Sequence, residues 1–180
     1  MSGLPSARAA ARGFSMIEIL ISLVIVAFGL LGLAAFAAKS TQLGVDATQR
    51  ARAAALLNDM SSRIASNKPN AALYVGAAVH GAALQANCAG GATLAARDLC
   101  EWNNLLAGVN DGGANAAFLG YRGCVTQPNA LDPVFVVTVA WGTLAPGIPP
   151  ADPCAAGVFG DDSQRRIVRS QVRVANLIGA

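Results

Sequence analysis

Gly13-Phe14-Ser15-Met16-Ile17-Glu18 opens the stretch that decides the fold, and Ile19-Leu20-Ile21-Ser22-Leu23-Val24-Ile25-Val26-Ala27-Phe28-Gly29-Leu30-Leu31-Gly32-Leu33-Ala34-Ala35-Phe36-Ala37-Ala38 completes it. The twenty residues from Ile19 to Ala38 carry no charge. Coiled as a helix they extend about 30 Å, the thickness of a bilayer hydrocarbon core. A single carboxylate, Glu18, stands at the leading edge. The short segment before it holds Arg8 and Arg12 and no acid.

Three readings of this stretch compete. The plainest is a signal anchor whose basic residues stay in the cytoplasm. A second is a cleaved secretory signal, since Ala35-Phe36-Ala37 has the small-x-small form that such cleavage needs. The apolar run is longer than the usual core of about 7–15 residues in such signals, and Glu18 has no purpose there. The third reading explains Glu18. A carboxylate costs roughly 2.5–3.5 kcal/mol at the centre of a membrane helix and less near the interface, so it normally has a partner. A cut between Gly13 and Phe14 creates an amine four residues before Glu18. Within one helix that spacing brings the two groups together. Between neighbouring helices it supplies a cation for a buried anion.

Gly13-Phe14-Ser15-Met16-Ile17-Glu18 followed by this apolar run resembles the class III leader and N-methylation motif of type IV pilins and pseudopilins. The resemblance implies that a prepilin peptidase cuts after Gly13 and methylates Phe14. It also implies that Glu18 pairs with a neighbour's terminus during assembly. Met16 stands where Leu or Thr is more usual, and Ala35 where major pilins often carry Pro, leaving Gly29 and Gly32 to loosen the helix. Gly29-Leu30-Leu31-Gly32-Leu33-Ala34, the run from Asn58 to Pro69 and Cys100-Glu101-Trp102 further resemble PilV-type minor pilins. The partners so implied are other minor pilins and the major pilin, prepilin peptidase, the inner-membrane pilus assembly platform, and the lipid bilayer before assembly. The implied location is the bacterial inner membrane, single-pass with the head in the periplasm, and then the extracellular pilus. Priming of pilus assembly, adhesion and twitching motility would follow. The alternatives are a minor pseudopilin of a type II secretion system, a DNA-uptake receptor pilin, and a secreted domain cut after Ala37.

The chain then divides into a leader (1–13), a transmembrane and assembly helix (14–38), the amphipathic half of the same helix (39–67) and a disulfide-stapled head (68–180). Hydrophobic residues make up 54% of the 180, and the formal net charge is +3. Removing the leader removes two arginines and leaves 3 − 2 = +1 on the side chains, too little to argue for nucleic acid. The cysteines, at 88, 100, 124 and 154, all follow the apolar run. An even count on the exported side suggests two disulfides, with three pairings open. Cys88–Cys100 and Cys124–Cys154 are favoured because each closes a segment with turn-like residues inside; free buried thiols are the alternative. The spacings fit no Cys-x-x-Cys zinc pattern.

The pattern predicts one helix over Phe14–Asn67, free of proline. Beyond Lys39, Leu43, Ala47, Ala54, Leu57, Met60 and Ile64 recur at helical spacing as a stripe able to lie on a sheet. Asp59 and Arg63, at i and i+4, can pair on its exposed face. Asn67-Lys68-Pro69-Asn70 ends the helix. Residues 71–87 read as loop with a short strand at Tyr74–Val79, and His80, the single histidine, as a surface loop residue. A short helix is expected over Asp98–Val109, capped by Asp98, with Trp102 as a core anchor. Asn110-Asp111-Gly112-Gly113 forces a turn. Strands are expected at Leu119–Thr126, Val134–Trp141 and Arg166–Val174, with Arg169, Gln171 and Arg173 facing out. The expected architecture is α+β, type IV pilin-like, with the long helix on a small antiparallel sheet.

Arg165, Arg166, Arg169 and Arg173 are the one basic concentration. It can meet DNA, an acidic neighbouring subunit or only water. A solvated strand face is the plainest assignment, and too few aromatics are interleaved for a single-strand platform. Glu101 shows no partner that would make it catalytic. No phosphate-cradling loop, nucleophile elbow, cofactor motif or metal constellation stands out, so the expectation is a structural protein rather than an enzyme.

Overall fold

The computed structural model describes residues 13–108, 120–143 and 145–174. Helix α1 runs from Met16 to Ser66 without a proline. Pro69 lies just past its end, where the chain tightens into a 3-10 helix over Lys68–Tyr74. The chain divides into two compact units, one ending at Val45 and the other starting at Asp46.

In the second unit, strands β1 (Arg122–Thr126), β2 (Val134–Gly142) and β3 (Arg165–Arg173) form an antiparallel sheet in the order β1-β2-β3. The carboxy-terminal part of α1 lies on it, as the α+β expectation requires. Ala53, Leu57, Met60 and Ile64 are the buried residues of α1. Their spacing of four, three and four places them on one side of a helix of 3.6 residues per turn. They join Phe135, Val137, Val139 and Trp141, the alternate residues of β2, in one core. The expected stripe began earlier, at Leu43 and Ala47, but both are exposed. The Tyr121 hydroxyl donating to the Gln49 carbonyl at 3.2 Å lies one turn before Ala53.

Helix α2 spans Leu94–Ala107, starting four residues before the expected Asp98. Thr93 is the cap: its hydroxyl accepts from the Ala96 N–H at 3.1 Å. Gly108 closes the other end in the left-handed conformation. Asp98 sits one turn inside, and its carboxylate is engaged elsewhere. Trp102 is fully buried, and its indole N–H donates to the Leu56 carbonyl at 2.9 Å, tying α2 to α1. Gly123 makes room for this ring: a Cβ there would lie 2.2 Å from Trp102.

The short strand expected at Tyr74–Val79 does not form; Tyr74 belongs to the 3-10 helix and is buried. The segment that follows instead runs along the outer edge of β1. His80 and Gly123 exchange backbone hydrogen bonds of 2.9 and 3.0 Å. His80 is accordingly half-buried rather than a surface loop residue, with its ring 5.8 Å from that of Trp102. Burial holds its pKa below the usual histidine value. The unfolded chain, titrating near 6.5, therefore takes up the proton first. The stability this burial gives is present above about pH 6.5 and is lost as pH falls through the lower folded value. Thermal unfolding of the full chain in detergent should fall more steeply between about pH 6.5 and 5 than that of His80→Gln; parallel curves would contradict this.

Residues of β2 are buried on both faces. The face away from the helices, with Val136, Thr138 and Ala140, is covered by the segment around Asp152–Phe159. Thr138 donates to Asp152 at 3.1 Å, and a disulfide joins Cys124 to Cys154. A second disulfide joins Cys88 to Cys100 at the side of α2. The expected turn at Asn110–Gly113 and the leader through Arg12 lie outside the described residues.

Candidate assembly site at the amino terminus

Gly13, Phe14 and Ser15 precede the helix in non-helical backbone, and all are exposed. The Ser15 carbonyl accepts from Glu18 N–H at 3.0 Å and Ile19 N–H at 3.3 Å, so Ser15 is the residue from which the helix starts. The Gly13–Phe14 bond thus lies in accessible chain, the form a peptidase can take into its active site. Glu18 is the third helical residue, where the helix dipole favours a carboxylate by about 0.3–1 kcal/mol. An amine released at Phe14 would add positive charge to the same end.

From Phe14 to Phe36, fifteen large apolar side chains are exposed. That is far more than a soluble monomer leaves to water. By length and composition α1 is able to cross a membrane. Within the apolar run Ser22 donates to the Ile19 carbonyl at 2.8 Å, and just past it Thr41 donates to the Ala37 carbonyl at 3.1 Å. Nothing lies within 4 Å of where a Cβ would stand on Gly29 or Gly32, so another helix can approach the backbone there.

The basic concentration at 165–173 does not form one patch. Arg165 is 1% exposed. Its guanidinium donates five hydrogen bonds: two to the Asp162 carboxylate at 2.7 and 2.8 Å, and one each to the carbonyls of Asp152, Cys154 and Pro150 at 2.7, 2.9 and 3.0 Å. The hydrogen bonds it donates to the Asp162 carboxylate hold its pKa above the usual arginine value. Arg166 is half-buried and donates to the carbonyls of Ser163, Arg165 and Ala145. Arg169 and Arg173 alone stay exposed, on the face away from the helices. The solvated-face assignment therefore fails for Arg165 and Arg166, whose neighbours in the preceding loop need their donors.

Arg63 was legible as a partner of Asp59, at 3.0 Å, but it also reaches Asp98 at 2.9 Å and Glu101 at 2.7 Å on α2. Glu101 thus has a partner after all, and it is a structural one. Burial alone would lower the Arg63 pKa; Glu101, Asp59 and Asp98 more than offset this and raise it. The Tyr74 hydroxyl donates to Asp98. Burial, then the Asp98 hydrogen bond, pushes the phenol up to about 12. No local spacing announces this junction, because its members come from three separate elements.

Residues 8–34 match a family model described as the prokaryotic N-terminal methylation motif. No curated protein and no solved structure matches the chain. The matched span contains the Gly13–Phe14 bond, Glu18 and most of the exposed apolar run. At its amino-terminal end, the chain carries the N-methylation motif of the type IV pilin and pseudopilin family.

Proposed function

We propose that the chain is a minor pilin of a type IV pilus. Prepilin peptidase cuts between Gly13 and Phe14 and methylates Phe14. The helix over 14–38 then holds the protein in the inner membrane, with the head over 68–180 in the periplasm, until assembly draws it into a fibre. The observation that carries this reading is the exposed apolar run of α1 through Ala38, with a lone carboxylate in its first turn. Lipid and the helices of other subunits are both able to cover such a surface. In the fibre, Glu18 meets the amine of a neighbouring subunit, because a buried carboxylate without a partner is costly. The PilV-type assignment rests on the resemblance of Gly29–Ala34, of Asn58–Pro69 and of the segment at Cys100, and with it come the other minor pilins and the major pilin as partners.

The same anchor suits a minor pseudopilin of type II secretion, since the motif is common to both groups. A DNA-uptake role loses support from Arg165 and Arg166, which the fold consumes. An epitope-tagged chain distinguishes the first two. Recovery of the tag in fibres sheared from cells, with loss of twitching on deletion, supports the pilin. A tag retained in the envelope, with loss of exported protein and normal piliation on deletion, rejects it in favour of the pseudopilin.

A further inference from the structure

The two edges of the sheet differ. The outer edge of β1 is covered: besides the His80–Gly123 pair, the Gly76 N–H reaches the Val125 carbonyl at 3.3 Å. On β3 the register tells which groups point outward. Thr143 N–H donates to the Gln164 carbonyl at 2.8 Å, and Val174 N–H to the Pro133 carbonyl at 2.9 Å. Between them, Arg166, Val168, Ser170 and Val172 stand opposite Trp141, Val139, Val137 and Phe135 with the same parity. Alternate residues of an antiparallel strand bond to the same neighbour. Ile167, Arg169, Gln171 and Arg173 therefore turn their N–H and C=O groups away from β2. Among the described residues no backbone group reaches them. The edge closes again at Arg165, whose N–H goes to Asp162 and whose carbonyl accepts from Arg166 at 3.0 Å. The open run is about 20 Å long.

Side chains restrict what can pair there. Arg169 and Arg173 are exposed on one face, while Val168 and Val172 pack partly against the core on the other. A second copy of β3 laid antiparallel on this edge sets arginine opposite or diagonal to arginine, which is unfavourable. A strand with carboxylates at those places has the opposite effect. We propose that the free edge of β3 receives an extended segment of another protein as a fourth strand, with carboxylates opposite Arg169 and Arg173 and apolar residues on the face of Val168 and Val172. Backbone hydrogen bonds supply the affinity, and the alternation of acid and apolar residues supplies the choice of partner. The edge offers this site whatever use is made of the apolar helix.

The test uses the full chain, isotope-labelled in detergent micelles, and the capped peptide Val-Glu-Val-Thr-Val-Glu-Val. Amide exchange followed by nuclear magnetic resonance should slow by about tenfold or more at Ile167, Arg169, Gln171 and Arg173 when peptide is added. Val168 and Val172, already bonded to β2, should change little. The double variant Arg169→Glu/Arg173→Glu should weaken binding about tenfold, and replacing the peptide glutamates with lysines should restore it. Four results overturn the proposal. The outward amides could be as slow as Val168 before peptide is added, so that the edge is already covered. Protection could grow with protein concentration alone, pointing to a second copy. Glutamate and lysine peptides could protect equally. A DNA duplex at physiological salt could shift Arg169 and Arg173 while the peptide protects nothing, making the pair a phosphate surface.

Discussion

Glu18→Ala is expected to leave the chain inserted and cut after Gly13, yet to lower its recovery in sheared fibres on the order of a hundredfold. Insertion should improve slightly, because the variant removes a carboxylate from the edge of an apolar run. The cut should persist, because the Gly13–Phe14 bond lies in exposed chain ahead of the helix. Assembly is where the loss falls. On the proposed pairing, a subunit lacking the carboxylate would leave a neighbour's amine desolvated without a partner, and breaking one side of a buried ion pair costs roughly 3–5 kcal/mol. Glu18→Asp keeps the charge but shortens its reach, and should give an intermediate yield. The measurement is the ratio of variant to wild-type chain in sheared fibres, normalised to the processed form in membranes. An unchanged ratio contradicts a pairing role for Glu18.

The second large effect concerns the head. Arg165→Met removes a buried guanidinium whose hydrogen bonds reach one carboxylate and three carbonyls. Methionine fills much of the volume but donates nothing, leaving those acceptors unpaired and the segment near Cys154 unpinned. The expected cost is about 3–5 kcal/mol. With the unfolding entropy of a chain this size, that lowers the thermal midpoint by about 10 °C. Trp102 and Trp141 both lie in the core, so their fluorescence reports the transition in detergent. Arg169→Met, at an exposed position, should shift stability by under about 0.5 kcal/mol. Equal effects of the two substitutions contradict the buried role assigned to Arg165.

What was legible in the chain follows from the range of the interactions involved. The helix over residues 16–66, its stop before Pro69, the β2 strand and the anchoring role of Trp102 are all written in local periodicity or in strong breakers. Burial of alternate residues puts Phe135, Val137, Val139 and Trp141 on one face whatever the partner element. Helix α2 is legible in the sequence but its start is not, because Thr93 and Asp98 are both good caps and only the fold decides between them. Asp98 is drawn inward by Arg63 and Tyr74, two residues with no fixed sequence distance from it. The same limit hid the burial of Arg165. Its link to Asp162 is at i−3 and could have been read, but its three carbonyl partners belong to an irregular segment without a pattern. The burial of His80 is hidden in the sequence for a related reason. A lone histidine among alanines and glycines looks solvated until β1 is known to lie beside it.

At the amino terminus the legible part is the chemistry rather than the packing. An acid four residues after a Gly–Phe bond and ahead of a long apolar run already poses the question of what neutralises it. The helix start at Met16 adds that the Gly13–Phe14 bond is outside the helix and exposed.

The most direct measurement is the mass and amino-terminal sequence of the chain purified from native membranes and fibres. A single mature form is expected, beginning at N-methylated Phe14, with the twelve residues before Gly13 and Gly13 itself removed. A chain still beginning at Met1, or one beginning at Ala38 and free of the apolar segment, contradicts it.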